Sequence, residues 1–272
     1  MKKSSVPYTF LMFVKLLYQS RSLIGALALR EIQGRYVGTF GGVTWSVVNP
    51  LAMILVYWFV FSVGFKVEPP GGVPFIIVFL CGLIPWTLFS ETLMSSVNVI
   101  RSNPHFVKKM VFPTEVLVVV NLVASLVTHI IMLSILFVLM WLNGLHFSIF
   151  NFQFVFYLFA LMIFTLGLSW FVSALNVFYK DIGQILGVVL NLWFWMTPIV
   201  WMVEMIPEKY QYYLNLNPML YIVVGYKNSF LFETPFWSHY RTGGMFWGIS
   251  LFVFVVGGLV FRRLKPEFAE VL

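Results

Sequence analysis

The sequence predicts an all-α integral membrane protein with six transmembrane helices. N-terminal amphipathic interface helices precede them, and a re-entrant outer segment lies between helices five and six. Three observations carry the prediction. Of the 272 residues, 60% are hydrophobic and only 10% charged, against about 45–50% and about 25% in a soluble domain. A chain so poor in polar groups cannot cover its apolar surface for water, so its solvent is lipid. The apolar residues also fall into runs near the length of about 20 that a helix needs to cross a bilayer. Finally, the basic residues gather on one side of those runs.

The spans lie near residues 44–65, 75–100, 116–142, 152–178, 182–203 and 245–261. The first holds 22 residues, roughly 33 Å of helix; the last holds 17 and is only just long enough. Pro85 and Pro198 fall inside spans two and five, and each is expected to kink its helix by removing a backbone donor. No soluble domain or internal repeat interrupts the series, so residues 44–272 read as one membrane domain. With both termini cytoplasmic, the inner side carries Lys2, Lys3, Lys15, Arg21, Arg30, Arg35, Arg101, Lys108, Lys109, Lys180, Arg262, Arg263 and Lys265. The outer side then carries Lys66, Lys209, Lys227 and Arg241. Thirteen against four sets the orientation, and an even number of spans agrees with it.

Residues 1–43 form the cytoplasmic amphipathic region. The apolar run Tyr8–Val14 is cut short by Lys15, and no small-residue cleavage pattern follows, so it is not a signal peptide. Phe10, Phe13, Val14 and Leu17 share one helical face. A second amphipathic piece, with Leu23, Ile24 and Leu27, leads into Arg30-Glu31 and Arg35-Tyr36. Such helices lie in the headgroup plane, and a simple anchor is the plainer reading. Between spans five and six, Met219–Phe232 is apolar but too short to cross, and Lys227 interrupts it. This pattern suits a re-entrant or interfacial helix that starts at the Asn217-Pro218 turn.

The chemistry is mostly absent. There is no Gly-Lys-Ser/Thr phosphate loop, no nucleophile elbow, and no acidic residue within four positions after His105, His129, His146 or His239. A single cysteine, Cys81, excludes a disulfide framework. With one aspartate, Asp181, and nine glutamates, metal chemistry on carboxylate clusters is not expected. No catalytic residue, metal site or cofactor is assigned to this chain. The net charge of +7 is spread between apolar segments, which argues against a nucleic-acid partner. Two ionisable groups sit inside spans, Glu91 and His129. They read either as a proton or ion pathway or as polar contacts between helices. Aromatic residues make up 19% of the chain. Tyr57, Trp58, Phe61 and Phe65 cluster on one side of span one, while Phe75, Phe79, Trp86 and Phe89 recur along span two. They read as packing and an interfacial belt, or as the lining of a conduit for a glycan.

Several fragments together resemble a known family. They are Leu29-Arg30-Glu31-Ile32-Gln33-Gly34-Arg35-Tyr36, Gly41-Gly42-Val43-Thr44-Trp45 with Asn49-Pro50, Phe178-Tyr179-Lys180-Asp181-Ile182, Thr197-Pro198-Ile199 and Leu216-Asn217-Pro218. The ending Phe261-Arg262-Arg263 with Pro266-Glu267-Phe268-Ala269-Glu270 joins them. In order and spacing the chain resembles the permease subunit of bacterial ATP-binding-cassette exporters for lipid-linked polysaccharides: O-antigen, capsule and teichoic acid. Gly41-Gly42 stands where Leu-Gly is more usual, and Lys180 where arginine is frequent, which weakens any bidentate ion pair there.

The resemblance implies the roles. The segment Leu23–Tyr36 would be the interface helix, contacting an ATPase through Arg30, Glu31, Arg35 and Tyr36. Arg101–Pro113 would be the coupling helix, with Pro104, His105, Phe106, Lys108 and Lys109, and Tyr179, Lys180 and Asp181 a second contact. Met219–Phe232 would belong to the outer gate. Two copies would form a conduit lined by Tyr57, Trp58, Phe61, Phe75, Phe79, Trp86 and Phe89. Two copies of a separate ATPase, holding ATP and Mg, would drive O-antigen on its lipid carrier across the bacterial inner membrane. A same-fold exporter of a small lipid or drug, and a proton-coupled transporter using Glu91, are the alternatives.

Overall fold

The computed structural model describes residues 15–35, 37–67, 69, 72–108 and 113–272. The expected face of Phe10, Phe13 and Val14 lies outside the described residues, as do Tyr36 and Lys109. The elements in chain order are α1 (Arg21–Arg35), α2 (Trp45–Trp58, continued by a π-helical turn, Phe59–Gly64), α3 (Phe75–Val97), α4 (Pro104–Lys108) and α5 (Glu115–Leu142). There follow α6 (Phe154–Phe178), α7 (Ile182–Met196), α8 (Glu208–Leu214), α9 (Pro218–Lys227, continued by a π-helical turn, Asn228–Phe232), α10 (Tyr240–Leu264) and α11 (Phe268–Val271). No strand occurs among the described residues.

Among the described residues, five helical stretches are long and apolar enough to span a membrane: Trp45–Gly64, Phe75–Val97, Glu115–Leu142, Ile149–Phe178 and Tyr240–Val271. The fifth expected span is different. Helix α7 has 15 residues, roughly 22 Å, and it stops at Met196 instead of kinking and running on to residue 203. Thr197 precedes Pro198, whose ring excludes the helical conformation there, and Thr197 is extended at φ −100° and ψ 134°. Pro85 does not have this effect; it lies inside α3, which continues to Val97.

From Phe75 to Trp86 helix α3 is apolar around its whole circumference, and the fold accordingly buries that stretch on all sides. It packs against α5, α6, α7 and α9, and its side chains from Phe75 to Leu93 form the centre of the main core. Helices α6 and α10 pack at two glycines, Gly167 and Gly257, where the backbones meet. Helix α1 lies against α5: Ile24 and Ala28, one turn apart, are buried against Val116, Val119, Val120 and Ala124. Helix α2 is the loosest of the long helices, with only Ser46 and Ile54 of its residues buried.

Candidate functional site

The basic end of the bundle is built around α4. Pro104 opens this helix, where its missing N–H is no loss, and Val107 anchors it in a cluster with Val99, Ile100, Leu117, Trp170 and Phe268. That anchorage leaves His105 and Lys108 exposed and Phe106 half-buried. Further along the chain, Tyr179, Lys180 and Asp181 form an exposed turn between α6 and α7. The cluster is closed from below by the chain's last residues. Lys265 Nζ lies 2.9 and 2.8 Å from the two carboxylate oxygens of Glu115, Trp170 Nε1 donates to the Glu115 carbonyl at 3.2 Å, and Phe268 is fully buried. The sequence does not show that Glu115 meets Trp170 and Lys265, since the partners are 55 and 150 residues apart.

Of the charged group on α1, Arg30 is exposed, whereas Arg35 turns into the bundle. Its guanidinium pairs with the Glu91 carboxylate of α3, and Arg35 also lies 3.7 Å from Glu31 one turn back. Thr128 of α5 donates to the same Glu91 oxygen at 3.4 Å. Glu91 therefore ties three helices together. The second ionisable group, His129, is buried and meets the Tyr226 hydroxyl at 3.2 Å. Both groups make polar contacts between helices, and no hydrogen bond among the described residues joins them into a relay.

The aromatic array is real, but it faces inward. Tyr57 stacks on Phe79 with centroids 4.7 Å apart, Phe61 on Phe75 at 5.2 Å, and Phe89 on Phe164 at 5.7 Å. Trp86 meets Phe194 and Trp193 edge-on. Phe79 and Phe89 have no exposed area, and Phe75 and Trp86 almost none. A ring enclosed by its own chain has no surface to offer a lumen between two copies, so these four are core residues and the conduit expectation is corrected for them. Their regular recurrence picked out one face of α3, but every face of that helix meets protein. Tyr57 and Phe61 are half-buried and Trp58 is exposed; only these three keep a surface that a second copy or a substrate could meet.

The segment after α8 is pinned at nearly every turn. Asn217 caps α9 by accepting from Met219 N at 3.0 Å. The same oxygen accepts from Trp193 Nε1 at 2.8 Å, and its amide donates to Thr197 Oγ1 at 2.9 Å. Further along, Lys227, the charge that interrupts the apolar run, is buried and donates to the Pro198 carbonyl at 2.8 Å. Asn151 donates to the Ser229 carbonyl at 2.8 Å. At Gly225 any side chain would collide with the Tyr157 ring, 2.2 Å from an ideal Cβ. A cleft of about 180 Å³ between α9 and α10 is bordered by Tyr157, Asn217, Tyr221, Thr242 and Phe246.

Residues 22–231, from α1 to the end of α9, match the family model described as ABC-2 type transporter. The chain belongs to the ABC-2 type transporter family. Its apolar helices and this membership make it a multi-pass membrane protein. The ABC-2 transporter is 28% identical over 266 residues to an O-antigen export system permease protein of Klebsiella pneumoniae, covering 96% of this chain and 100% of the relative. It is 30% identical over 263 residues to an O-antigen export system permease protein of Myxococcus xanthus, covering 94% and 98%. A polysialic acid transport protein of Escherichia coli is 27% identical over 202 residues, 74% of this chain and 78% of that protein.

Proposed function

We propose that this ABC-2 transporter is the membrane permease of a bacterial exporter that moves a lipid-linked polysaccharide, O-antigen above all, across the inner membrane. The observation that carries the reading is the end-to-end match to O-antigen export permeases, whose whole length this chain spans. In this reading the basic end faces the cytoplasm, as the distribution of lysine and arginine requires. Two copies come together through α2 and α7, whose apolar outer faces the single chain leaves bare.

Each copy meets one ATPase subunit, which carries the ATP and Mg. The exposed His105 and Lys108 of α4, the Tyr179–Asp181 turn, and Arg30 with Glu31 of α1 are the contact residues. Tyr36 and Lys109 are assigned to the same contact. Closure of the ATPase pair pushes on α4 and α1, and α1 passes the force to α3 through the Arg35–Glu91 pair and to α5 through Ile24 and Ala28. The α9 segment enters and leaves the membrane from the outer side as part of the exit. Tyr57, Trp58 and Phe61 offer rings on which sugar faces can stack.

The test is an affinity purification of the tagged chain in mild detergent, with partners identified by mass spectrometry. A stoichiometric phosphate-loop ATPase is expected to copurify, and deletion of the chain is expected to abolish surface polysaccharide. A folded chain that recovers no ATPase, in a strain whose surface polysaccharide survives the deletion, refutes the proposal.

A further inference from the structure

Helix α7 has three faces. Leu186, Leu190 and Phe194 are buried against the bundle. Ile185, Val189 and Met196 form an exposed apolar face, the one through which the reading above brings in a second copy. Between them runs a third stripe: Gln184, Gly187, Asn191 and Trp195, at intervals of three or four residues that stack them along one side of the helix. Gln184, Asn191 and Trp195 are all exposed, and Gln184, Gly187 and Asn191 border a shallow groove whose other edge is Val188 and Leu192. Neither amide has a hydrogen-bond partner among the described residues.

Two amides inside the bundle are treated differently. Asn121 of α5 is buried and reaches Ser96 at 3.5 Å, and Asn176 of α6 is buried and donates to Asn98 at 3.0 Å. Hydrocarbon cannot satisfy an amide, so two bare ones on an otherwise apolar helix do not face lipid. They face water or a polar partner.

We infer that the Gln184–Gly187–Asn191–Trp195 stripe is the sugar-contacting wall of the conduit, where the passing chain exchanges its hydroxyl groups for the two amides. This rests on the polysaccharide reading above. The stripe carries no charge, so it favours a neutral, hydroxyl-rich occupant over a charged one. Gln184 and Asn191 stand seven residues apart, roughly 10 Å along the helix, and each offers both a donor and an acceptor. Between them Gly187 leaves a gap, since a Cβ there would meet nothing within 4 Å. Trp195, 53% exposed, follows one turn beyond Asn191 with a flat face for stacking. Several weak, uncharged contacts in series hold a moving chain without trapping it, which is what conduction demands.

The experiment introduces single cysteines into the full chain, coexpressed with its ATPase in the polysaccharide-producing host. The native Cys81 is fully buried and stays silent. Gly187→Cys and Asn191→Cys are expected to react with a charged, water-soluble methanethiosulfonate reagent, and the reaction to stop export. Ile185→Cys and Val189→Cys are expected not to react. Gly187→Trp is expected to block export while leaving the chain at normal levels and bound to its ATPase. Gln184→Leu with Asn191→Leu is expected to slow export by about tenfold, the combined effect of two neutral hydrogen bonds. No reaction at 187 and 191, or disulfides there that join two copies in place of labelling, overturns the inference and makes the stripe a lipid or helix contact. If deleting the whole chain leaves surface polysaccharide intact, the function itself fails; the labelling pattern is read on the protein whichever way that result falls.

Discussion

Gly257→Ala should be among the most damaging single-methyl changes in the molecule. An ideal Cβ at Gly257 would lie 2.0 Å from the Gly167 carbonyl oxygen and 2.9 Å from its carbon. Ordinary van der Waals contact begins near 3.4 Å, so the two atoms must separate by about 1.4 Å. Neither atom belongs to a flexible side chain, so the shift must move helix α6 or α10 bodily. Overfilling a packed interior costs typically about 1–3 kcal/mol. A gap near 1 Å also forfeits a quarter to a half of each neighbouring contact along the interface, which places this change at the upper end, about 3 kcal/mol. Gly258→Ala is the control, because there a Cβ meets only a Trp170 ring carbon at 4.0 Å. With no clash to offset it, alanine's better helix propensity should stabilise by up to about 1 kcal/mol. Adjacent residues thus give opposite signs, read by thermal or denaturant unfolding of the purified protein followed by tryptophan fluorescence. If Gly257→Ala unfolds together with Gly258→Ala, the backbone contact between α6 and α10 does not exist as described.

The same logic applies where Gly225 faces Tyr157. Gly225→Ala alone should destabilise by about 1–3 kcal/mol, and most of that penalty should vanish in a Tyr157→Leu background; additivity in the double-mutant cycle would refute the contact. Glu91→Leu leaves the Arg35 guanidinium, only 21% exposed, with Glu31 at 3.7 Å as its remaining carboxylate, and should cost about 2 kcal/mol, less than breaking a fully buried pair would. It should speed proteolysis within α1, and Arg35→Leu added to it should restore resistance, whereas equal cleavage of single and double variants would sink the idea. Phe268→Ala empties a fully buried site and should cost about 3 kcal/mol locally. Because Val107 shares its cluster, hydrogen exchange should quicken in α4 as well as α11; unchanged protection of α4 would show that the two are not coupled.

The sequence made the helices legible, because apolar runs of the right length have few other uses in lipid; the ends of the matched spans agree within a few residues, with the last span starting five residues early at Tyr240. The two prolines show the limit of that reading. Pro85 and Pro198 carry the same local restriction, yet one sits inside a helix and the other ends one. Around Pro85 the helix is packed on every side, which holds it in register. At Thr197 only one face of α7 is anchored, and the Thr197 hydroxyl closes the last turn by donating to the Trp193 carbonyl at 2.8 Å while accepting from the Asn217 amide. The aromatic stripe of α3 failed as a guide for a related reason. Spacing identifies which residues share a face, but whether that face meets a lumen or a neighbouring helix depends on packing brought from elsewhere in the chain. The Arg35–Glu91 pair, 56 residues apart, was readable only as two separate charges. The exposed amides of α7 carried a usable signal, since any unpaired polar group on a spanning helix asks what it faces.

Helices α1 and α2 are neighbours in sequence but belong to different mechanical bodies. Helix α1 is fixed to α3 through Arg35 and Glu91 and to α5 through Ile24 and Ala28. Helix α2 meets the core through little more than Ile54, Tyr57 and Phe61. The link between them contains Gly38 at φ +80° and Gly42 at φ +49°, conformations that glycine adopts at no steric cost. Alanine at either position meets no atom within 4 Å, so its penalty is confined to the backbone, about 1 kcal/mol each. A linker that prefers negative φ would redirect α2 while leaving α1 on its two anchors. Gly38→Ala with Gly42→Ala should therefore raise hydrogen exchange in α2 and loosen the Tyr57–Phe79 stack, with α1 and α3 unchanged. If α1 and α2 lose protection together, they form one unit and the glycine link is not a joint.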